Sequence, residues 1–373
     1  MADSDPTSLV RYGPACAEGL RGTIPADSSV WCTTCHMTQV RPGMRPERLV
    51  RLAQRAVDAC AVDLRDAVVL TEAATGAYAV TPVLAALGGA QRVDAVTRAT
   101  RHGSVADVTA ETRTLADLAG VAERIHIHTS KTPELVGAAD VVTNSGHLRP
   151  IDATTVGWMR PSAVVPLMFE AWEIDLGRDD VDLSALRARG IRVAGTNERH
   201  PNVDVFAYLG SMAVALLTDA AISVRGARLL VLCDNPFGRY LETGLSQSGA
   251  HVVVRSALAV EDLYDDLDAV LVALRPHQGP VLGSADVAEI AKRAPTSVLA
   301  QFWGDLPHDA CRAFGVPTVP AVPPLAGHMG VLPSALGPEP VVRLQTGGLK
   351  VASLLLQPPS TWTDKDRAYV DPV

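Results

Sequence analysis

The chain has 373 residues, of which 47% are hydrophobic and 20% charged, and its formal net charge is -8. That length fits two domains of roughly 150 residues each, and the acidic balance argues against nucleic acid as a partner. The N-terminus lacks the basic and apolar segments of a signal peptide, and no later stretch is apolar and uncharged over the ~20 residues that a membrane span needs. We therefore expect a cytoplasmic protein that binds neither nucleic acid nor membrane.

The N-terminal residues form an extension that precedes the regular pattern. Residues 1–45 are rich in Pro, Gly, Ser and Cys, and a helix-like stretch follows at 45–61. Three thiols and one imidazole, enough for a tetrahedral zinc site, come from Cys16, Cys32, Cys35 and His36. Two buried free thiols or a redox pair remain alternatives for Cys32 and Cys35. We assign residues 1–62 to this extension and helix, with a candidate zinc site.

From residue 67 onward, short β-rich runs alternate with helical patterns, as in AVVLTE followed by AVTPVLAALGGA and then RVDAVTR. Such alternation predicts a parallel sheet covered by helices on both faces. This predicts a first α/β lobe over residues 63–202, to which a late apolar helix at 347–357 returns.

A second lobe is predicted over residues 203–346. It opens with a long apolar helix at 203–224 that links the lobes, and strand, turn, helix and strand follow at 228–255. Residues 358–373 are expected to form a tail. The fold class is therefore α/β, with two Rossmann-like parallel-sheet lobes, a cleft between them and a Cys-containing extension.

The turn at 234–238 lies where a dinucleotide-binding unit carries G-x-G-x-x-G, yet it reads Asp234-Asn235-Pro236-Phe237-Gly238. Pro236 removes one N–H that could face a phosphate, and Phe237 adds bulk where the backbone should approach the pyrophosphate. The turn at 71–76 also joins a strand to a helix, so the first lobe remains an alternative site for a nucleotide.

This order of elements resembles the D-2-hydroxyacid dehydrogenase family, most clearly in DDVDLSALRARGIRVAGTNERHPNVDVFAYLGSMAVALL at 179–217. The resemblance implies a homodimer that binds NADP or NAD, with Asp234, Asn235, Pro236, Phe237 and Gly238 contacting the cofactor. Arg255 at the end of the following strand favours NADP, although it could equally be an exposed strand-end residue. The family's catalytic Arg and Glu have no match, whereas His328 stands where a late His is expected.

Polar residues at the carboxyl ends of the predicted strands are the candidate site residues, because ligands bind there in open α/β sheets. As catalytic residues we predict His328, Glu170 and His200. As substrate-binding residues we predict Glu72, Asn144, His147, Glu173, Asn197 and Glu198. Glu170 could instead cap a helix or pair with Arg178, and His328 could be an ordinary surface histidine.

Two further residues near the predicted cofactor turn are weaker candidates. His277 is of the same kind as His328, and Cys233 could be a nucleophile or simply a small buried residue.

The sequence thus favours a biosynthetic enzyme that acts on a small polar metabolite and resembles an NAD(P)-dependent oxidoreductase with a remodelled cofactor turn. A non-redox enzyme on the same scaffold, such as a lyase, hydrolase or condensing enzyme, is the first alternative. A catalytically silent partner protein is the second.

Overall fold

The computed structural model describes residues 41–176 and 180–373. The strands, in chain order, are β1 (Val68–Glu72), β2 (Arg92–Val96), β3 (Ile125–His128), β4 (Val141–Val142), β5 (Val164–Pro166), β6 (Arg192–Thr196), β7 (Arg228–Leu232), β8 (His251–Arg255), β9 (Ala269–Ala273), β10 (Val298–Trp303), β11 (Thr318–Val319) and β12 (Val370–Asp371).

The α-helices connect and cover these strands. In chain order they are α1 (Pro46–Cys60), α2 (Thr81–Leu87), α3 (Val105–Ala119), α4 (Pro133–Ala138), α5 (Ala153–Trp158), α6 (Leu183–Ala188), α7 (Leu209–Asp219), α8 (Gly238–Gln247), α9 (Ser284–Arg293), α10 (His308–Phe314), α11 (Glu339–Leu355) and α12 (Asp364–Arg367).

The strands form two sheets, one in each lobe. Within the described ranges the first sheet has seven strands in the order β12-β6-β5-β4-β1-β2-β3, and the second has five in the order β11-β10-β9-β7-β8. Pairing is parallel throughout, except that β12 runs antiparallel to β6. The predicted α/β class with two parallel-sheet lobes is confirmed.

Both faces of the first sheet are buried, which explains why its strands read as continuous apolar runs. Val69 faces the core formed with α1, α2 and α11. The next residue, Leu70, faces the core formed with α4 and α5. Side chains that alternate along a strand therefore reach different cores, and the same parity decides which polar residues share a face at the strand ends.

The helix predicted at 203–224 is shorter than expected. A 3-10 turn spans Phe206–Tyr208 and the α-helix runs only from Leu209 to Asp219. The chain cannot be helical at Asp204, because its φ of 44° lies in the left-handed region.

The late helix begins earlier than predicted, at Glu339, with a proline in its first turn. Gly347 and Gly348, which suggested a helix start, lie inside it. A Cβ at Gly348 would lie 1.9 Å from Met168 Sδ, so a close approach to the first lobe explains this glycine.

The residues expected to form a tail fold back onto the first lobe. Val370 pairs with Thr196 to add β12 to the sheet, and Asp371 Oδ2 accepts a hydrogen bond from Ala171 N at 2.6 Å. The last residues of the chain thus help to hold the loop that follows β5.

Among the described residues, none of the helices combines the length and apolar character needed to cross a bilayer.

Candidate functional site

The turn after β7 is held by its own side chains. Asn235 Oδ1 accepts a hydrogen bond from Phe237 N at 3.0 Å, and Asn235 Nδ2 donates to Ala273 O at 2.6 Å. Asp234 Oδ1 accepts from Arg275 N at 2.9 Å. Because β7 lies between β8 and β9, these bonds cross the crevice where the strand order reverses, which is where open α/β sheets bind ligands.

Five aromatic side chains fill the space between the lobes beside this turn. This aromatic cluster consists of Trp172, Phe206, Phe237, Phe302 and Trp303. The Phe237 ring is 5.2 Å from the rings of Phe206 and Trp303, and 5.8 Å from that of Trp172, measured between centroids. Trp172 follows β5 in the first lobe and Trp303 ends β10 in the second, so the cluster joins the two lobes.

The turn does not fit a dinucleotide pyrophosphate laid on the start of α8. Pro236 has no N–H, and Phe237 N is already bonded to Asn235 Oδ1. Gly238 N donates to Asn235 O at 3.3 Å. Of the backbone groups that would face a phosphate here, Pro236 has no N–H and those of Phe237 and Gly238 are engaged within the turn.

Arg255, predicted to hold a 2′-phosphate, is paired within the protein. Its Nε and Nη2 atoms each lie 2.9 Å from a carboxylate oxygen of Asp262. A phosphate would have to compete with this bidentate ion pair.

A pocket of about 350 Å³ lies at the carboxyl ends of β7, β8 and β9. Its lining combines apolar side chains such as Leu258 and Leu282 with Asp234, Arg275 and His277. The volume falls at the lower end of the range of small-molecule sites, about 300–1,000 Å³. The predicted candidate His277 thus lines this pocket, whereas the pyrophosphate turn beside it is closed.

Glu170, a predicted acid or base, is 0% exposed and its carboxylate has three donors. Oε1 accepts from Arg199 Nε at 2.9 Å and from Glu198 N at 3.1 Å, and Oε2 accepts from Trp172 Nε1 at 2.8 Å. The partner expected as an alternative was Arg178, which lies outside the described residues. Glu170 therefore ties the loops after β5 and β6 together and orients Trp172.

Asn197 and His200, expected at the cleft, contact the C-terminal segment instead. Asn197 Nδ2 donates to Ala368 O at 2.8 Å. The His200 imidazole stacks on Tyr369 with ring centroids 3.6 Å apart, and its Nδ1 accepts from Asn202 N at 3.2 Å. Burial and, to a smaller extent, Lys350 lower the pKa of His200. These side chains anchor the end of the chain.

The two remaining glutamates of these loops lie close to Glu170. Glu173 N donates to Glu170 O at 3.1 Å, and Glu198 is buried. Their roles in substrate binding stay predictions.

His328 lies on an exposed loop that is anchored on both sides. Trp303 Nε1 donates to Gly327 O at 3.2 Å, and Gly327 N donates to Asp305. The His328 Nδ1 atom is 3.1 Å from Ala326 O. The loop is therefore attached to Trp303 of the aromatic cluster, and the His328 imidazole is exposed at the surface.

Cys233 is buried at the start of the turn. Burial raises the pKa of its thiol to about 11. A thiol of that pKa is protonated at neutral pH, which supports the interpretation of Cys233 as a small buried residue rather than a nucleophile.

The predicted zinc ligands Cys16, Cys32, Cys35 and His36 lie outside the described residues. Within residues 41–176 and 180–373, no group of three or more His, Cys, Asp or Glu side chains has the arrangement of a metal site.

A cluster of ionisable side chains and one amide lies at the carboxyl edge of the first sheet. We call it the edge site and define it as Glu72, Tyr78, Arg98, Asn144, His147 and Arg149. Glu72, at the end of β1, is 5% exposed, and its Oε2 accepts from His147 N at 3.3 Å. Gly146 allows this contact, because a Cβ there would lie 1.5 Å from Glu72 Oε2. The sequence predictions for Glu72, Asn144 and His147 thus fall on residues that the fold brings together.

Two groups of the edge site have pKa values displaced in opposite directions. Burial raises the pKa of Glu72, although Arg149 and the His147 N–H act against it. Burial and the charge of Arg98 lower the pKa of His147. Each shift favours the neutral form of its group, and pKa values separated in this direction are typical of a general acid and a general base.

Sequence reasoning did not single out Tyr78 or Arg149. Tyr78 lies on the 3-10 turn Gly76–Val80, and burial followed by the charge of Glu72 raises its pKa. Arg149 follows His147 by two residues, and its Nη1 is 3.3 Å from Asp180 Oδ2. The feature of the sequence that could have identified both residues is their position in the loops after predicted strands.

Lys131 fixes the chain that carries His147 and Arg149. Its Nζ donates to Leu148 O at 3.0 Å, to Pro150 O at 2.6 Å and to Thr155 Oγ1 at 2.8 Å. The loop that carries His147 and Arg149 is thus held in place by Lys131.

Two Rossmann-like lobes with candidate residues at the strand ends define the class of fold, and the two-lobed fold that the resemblance implied is confirmed. A dipicolinate synthase structure from Bacillus halodurans superposes with a TM-score of 0.51 at 10% identity, covering 79% of this chain and 99% of that one. The dipicolinate synthase of Bacillus subtilis gives 0.47 at 10% identity, covering 79% and 97%.

An NAD+-bound 3-phosphoglycerate dehydrogenase from Entamoeba histolytica gives a TM-score of 0.40 at 10% identity, covering 62% of this chain and 84% of that one. No family model and no curated protein matches the sequence. At 10% identity the likeness to the Bacillus halodurans structure shows the fold alone, and the activity has to be argued from the site.

Proposed function

We propose that this chain is a dehydrogenase-like two-lobed enzyme that transfers protons, rather than hydride, on a small anionic metabolite at the edge site. The observation that carries the proposal is the contact between Glu72 and the His147 backbone, with the carboxyl and the imidazole displaced in opposite directions on the pKa scale. Pairs of titratable groups separated in this way commonly act as acid and base.

The charges around the pair support an anionic substrate. Arg98 and Arg149 are exposed at the mouth of the edge site, and Glu72 is buried beneath. Guanidinium groups bind carboxylates and phosphates in a bidentate manner, so they would hold the anionic end of a metabolite.

The second lobe supports chemistry without hydride transfer. The crevice at the strand-order reversal is crossed by the bonds of Asp234 and Asn235, and the aromatic cluster fills the space beside it. A nicotinamide ring extending from that turn toward the first lobe would meet the rings of Phe237 and Trp172.

Deuterium incorporation tests the proposal. The protein is incubated in D2O with a panel of small carboxylates, and loss of C–H signals is followed by proton NMR. We expect catalysed exchange that Glu72→Gln and His147→Asn each reduce about 100-fold or more. The matched controls Glu123→Gln and His126→Asn, on the same lobe but outside the edge site, should leave it unchanged. Exchange that neither edge-site variant slows, or no exchange with any carboxylate, contradicts the proposal.

A second candidate, an NAD(P)-dependent oxidoreductase, is favoured by the pocket of about 350 Å³ at the ends of β7–β9. It lies where Rossmann-like lobes hold the adenosine part of a dinucleotide. Thermal-shift titrations with NADP, NAD and adenosine separate the candidates, since a ligand at 100 times its Kd stabilises by about 2.7 kcal/mol. A shift with NADP or NAD together with reduction of an oxo acid would establish this candidate.

Homodimer formation, which the resemblance implies, remains a prediction. Light scattering after size-exclusion chromatography measures it directly, and a mass of one chain would contradict it.

A further inference from the structure

One buried amide at the edge site lacks a partner on one side. Asn144 is 1% exposed, and its Oδ1 accepts from Met168 N at 2.8 Å. Its Nδ2 atom is buried and, within the described residues, has no hydrogen-bond partner. An unsatisfied buried donor costs about 1–3 kcal/mol, so its retention calls for an explanation.

The geometry of the sheet shows where this donor points. β4 lies between β5 and β1, and the parallel pairing continues past β4, because Thr143 N donates to Leu70 O at 3.0 Å. Asn144 therefore lies beside Glu72, on the sheet face shared by Leu70 and Val142. The amide places its oxygen and nitrogen on opposite sides of Cγ. Because Oδ1 accepts from Met168 N in the loop after β5, Nδ2 is left on the side of β1, the strand that ends at Glu72.

We propose that Asn144 Nδ2 and the buried carboxyl group of Glu72, as its acid, form a donor pair for the carbonyl oxygen of a small oxo-carboxylate. This inference rests on the proposed function for the choice of site and adds the chemical class of the substrate. The pair is an oxyanion-binding arrangement: two donors directed at one oxygen in a site from which water is largely excluded.

The reaction that this arrangement supports is proton transfer at the carbon next to the carbonyl. The C–H bond breaks, its proton passes to the neutral imidazole of His147, and its electron pair moves through the new C=C bond onto the carbonyl oxygen. Asn144 Nδ2 hydrogen-bonds that oxygen, and Glu72 transfers its proton to it, which gives the enol. On the return step the enol proton goes back to Glu72. Return of a proton to carbon completes the exchange, and no oxidant or reductant takes part.

Access to the donors is through the turn at 146–149. His147 is half-buried and Arg149 exposed above Glu72, and Gly146 lies against the carboxyl. A substrate would enter by displacing the His147 and Arg149 side chains. Its carboxylate would then replace Asp180 Oδ2, 3.3 Å from Arg149 Nη1, as the partner of the Arg149 guanidinium.

Binding is measured by isothermal titration calorimetry with pyruvate, acetoacetate and levulinate, which differ in the distance between carbonyl and carboxylate. Lactate, 3-hydroxybutyrate and 4-hydroxyvalerate, which have a hydroxyl in place of the carbonyl, are the matched ligand controls. We expect at least one oxo-carboxylate to bind about tenfold or more tightly than its hydroxy counterpart. Equal affinity for each pair, or no binding of any of the three, overturns the inference.

Variants assign the preference to the two donors. Asn144→Asp keeps the acceptor for Met168 N and loses the donor, and Asn144→Leu loses both; each should abolish the carbonyl preference. Gln345→Leu is the control, because its Oε1 is also buried without a partner in the described chain but lies on α11. A preserved preference in both Asn144 variants that fold overturns the inference.

The pH dependence supplies an independent readout. The groups that act on this carboxyl or on its neighbours are Tyr78, Arg149, His147, Arg98 and Asp180. As pH rises through the pKa of Glu72, the wild-type protein loses one donor and binds the oxo-carboxylate more weakly. The Glu72→Gln variant should bind it equally well below and above that pH. An identical pH profile in the two proteins contradicts the role of Glu72.

The binding test separates this inference from the proposed function. Carbonyl-dependent binding without deuterium incorporation supports the donor pair and contradicts the proton-transfer enzyme. Deuterium incorporation without a preference for the carbonyl ligands supports the proton-transfer enzyme and contradicts the donor pair.

Discussion

Glu72 shows how one residue can combine a stability cost with a chemical use. Its carboxyl is buried against the Gly146 backbone, and its charged form is disfavoured because burial outweighs the effect of Arg149. Protonation in the folded state therefore stabilises the protein at low pH, and this contribution is lost as pH rises through the raised pKa. A buried group with that property is expected at a working site rather than in a core selected for stability alone.

We predict that Glu72→Gln stabilises the protein at pH values above the pKa of Glu72 and has little effect near pH 4.5. Each unit by which that pKa is raised corresponds to about 1.4 kcal/mol of unfolding free energy. A change of about 1 kcal/mol shifts Tm by roughly 2–4 °C in domains of about 150–250 residues. Differential scanning fluorimetry between pH 4.5 and 9 measures the effect, with the exposed Glu123→Gln as control. A difference in Tm that stays constant over this range would show that burial of the charge is not the cause.

At the scale of elements, the contact between α7 and α8 depends on two glycines. A Cβ at Gly244 would lie 2.5 Å from Gly210 Cα, and one at Gly210 would lie equally close to Gly244 Cα. The obstructing atoms belong to backbone, so they cannot move aside as a flexible side chain would. The absence of side chains at both positions sets the distance between the two helices.

Gly244→Ala is therefore expected to destabilise the second lobe by about 1–3 kcal/mol, the usual cost of overpacking. Gly238→Ala in the same helix is the control, because the nearest atom to its added Cβ would be 3.6 Å away. Urea denaturation followed by circular dichroism gives both values. Equal midpoints for the two variants would rule out the steric explanation.

Across the molecule as a whole, the aromatic cluster joins the two lobes. Glu170 orients Trp172 through its indole N–H, and Trp172 lies 6.0 Å from Trp303 and 5.8 Å from the Arg275 guanidinium. Edge-to-face aromatic pairs contribute about 0.5–1.5 kcal/mol each beyond the area they bury. The cluster therefore favours a closed arrangement of the lobes.

Trp172→Ala should release this arrangement. We expect a larger radius of gyration in small-angle X-ray scattering and faster limited proteolysis, with a loss of stability of about 2 kcal/mol or more. Trp158→Ala provides the comparison, since Trp158 is also half-buried but packs only within the first lobe among the described contacts. Scattering curves that coincide for the two variants would show that Trp172 does not hold the lobes together.

The order of elements and the fold class could be predicted from the sequence, because apolar runs and helical periods are local properties that core burial enforces. The altered turn at 234–238 could also be read from the sequence, although the hydrogen bonds of Asn235 within it could not. The helix boundaries near Asp204 and Gly347 were missed, because a left-handed backbone and a close helix approach depend on packing.

Only the tertiary structure shows which polar residues at the strand ends have hydrogen-bonding groups that are not already engaged within the protein. Glu170, Asn197 and His200 have the same residue types and strand-end positions as Glu72, Asn144 and His147, yet their hydrogen-bonding groups and rings are taken by Arg199 and the C-terminal segment. Such contacts join residues far apart in sequence: Glu72 and His147 are 75 residues apart, and Asn197 and Ala368 are 171 apart. Whether a buried carboxyl or amide is satisfied depends on these distant contacts, and no local pattern encodes them.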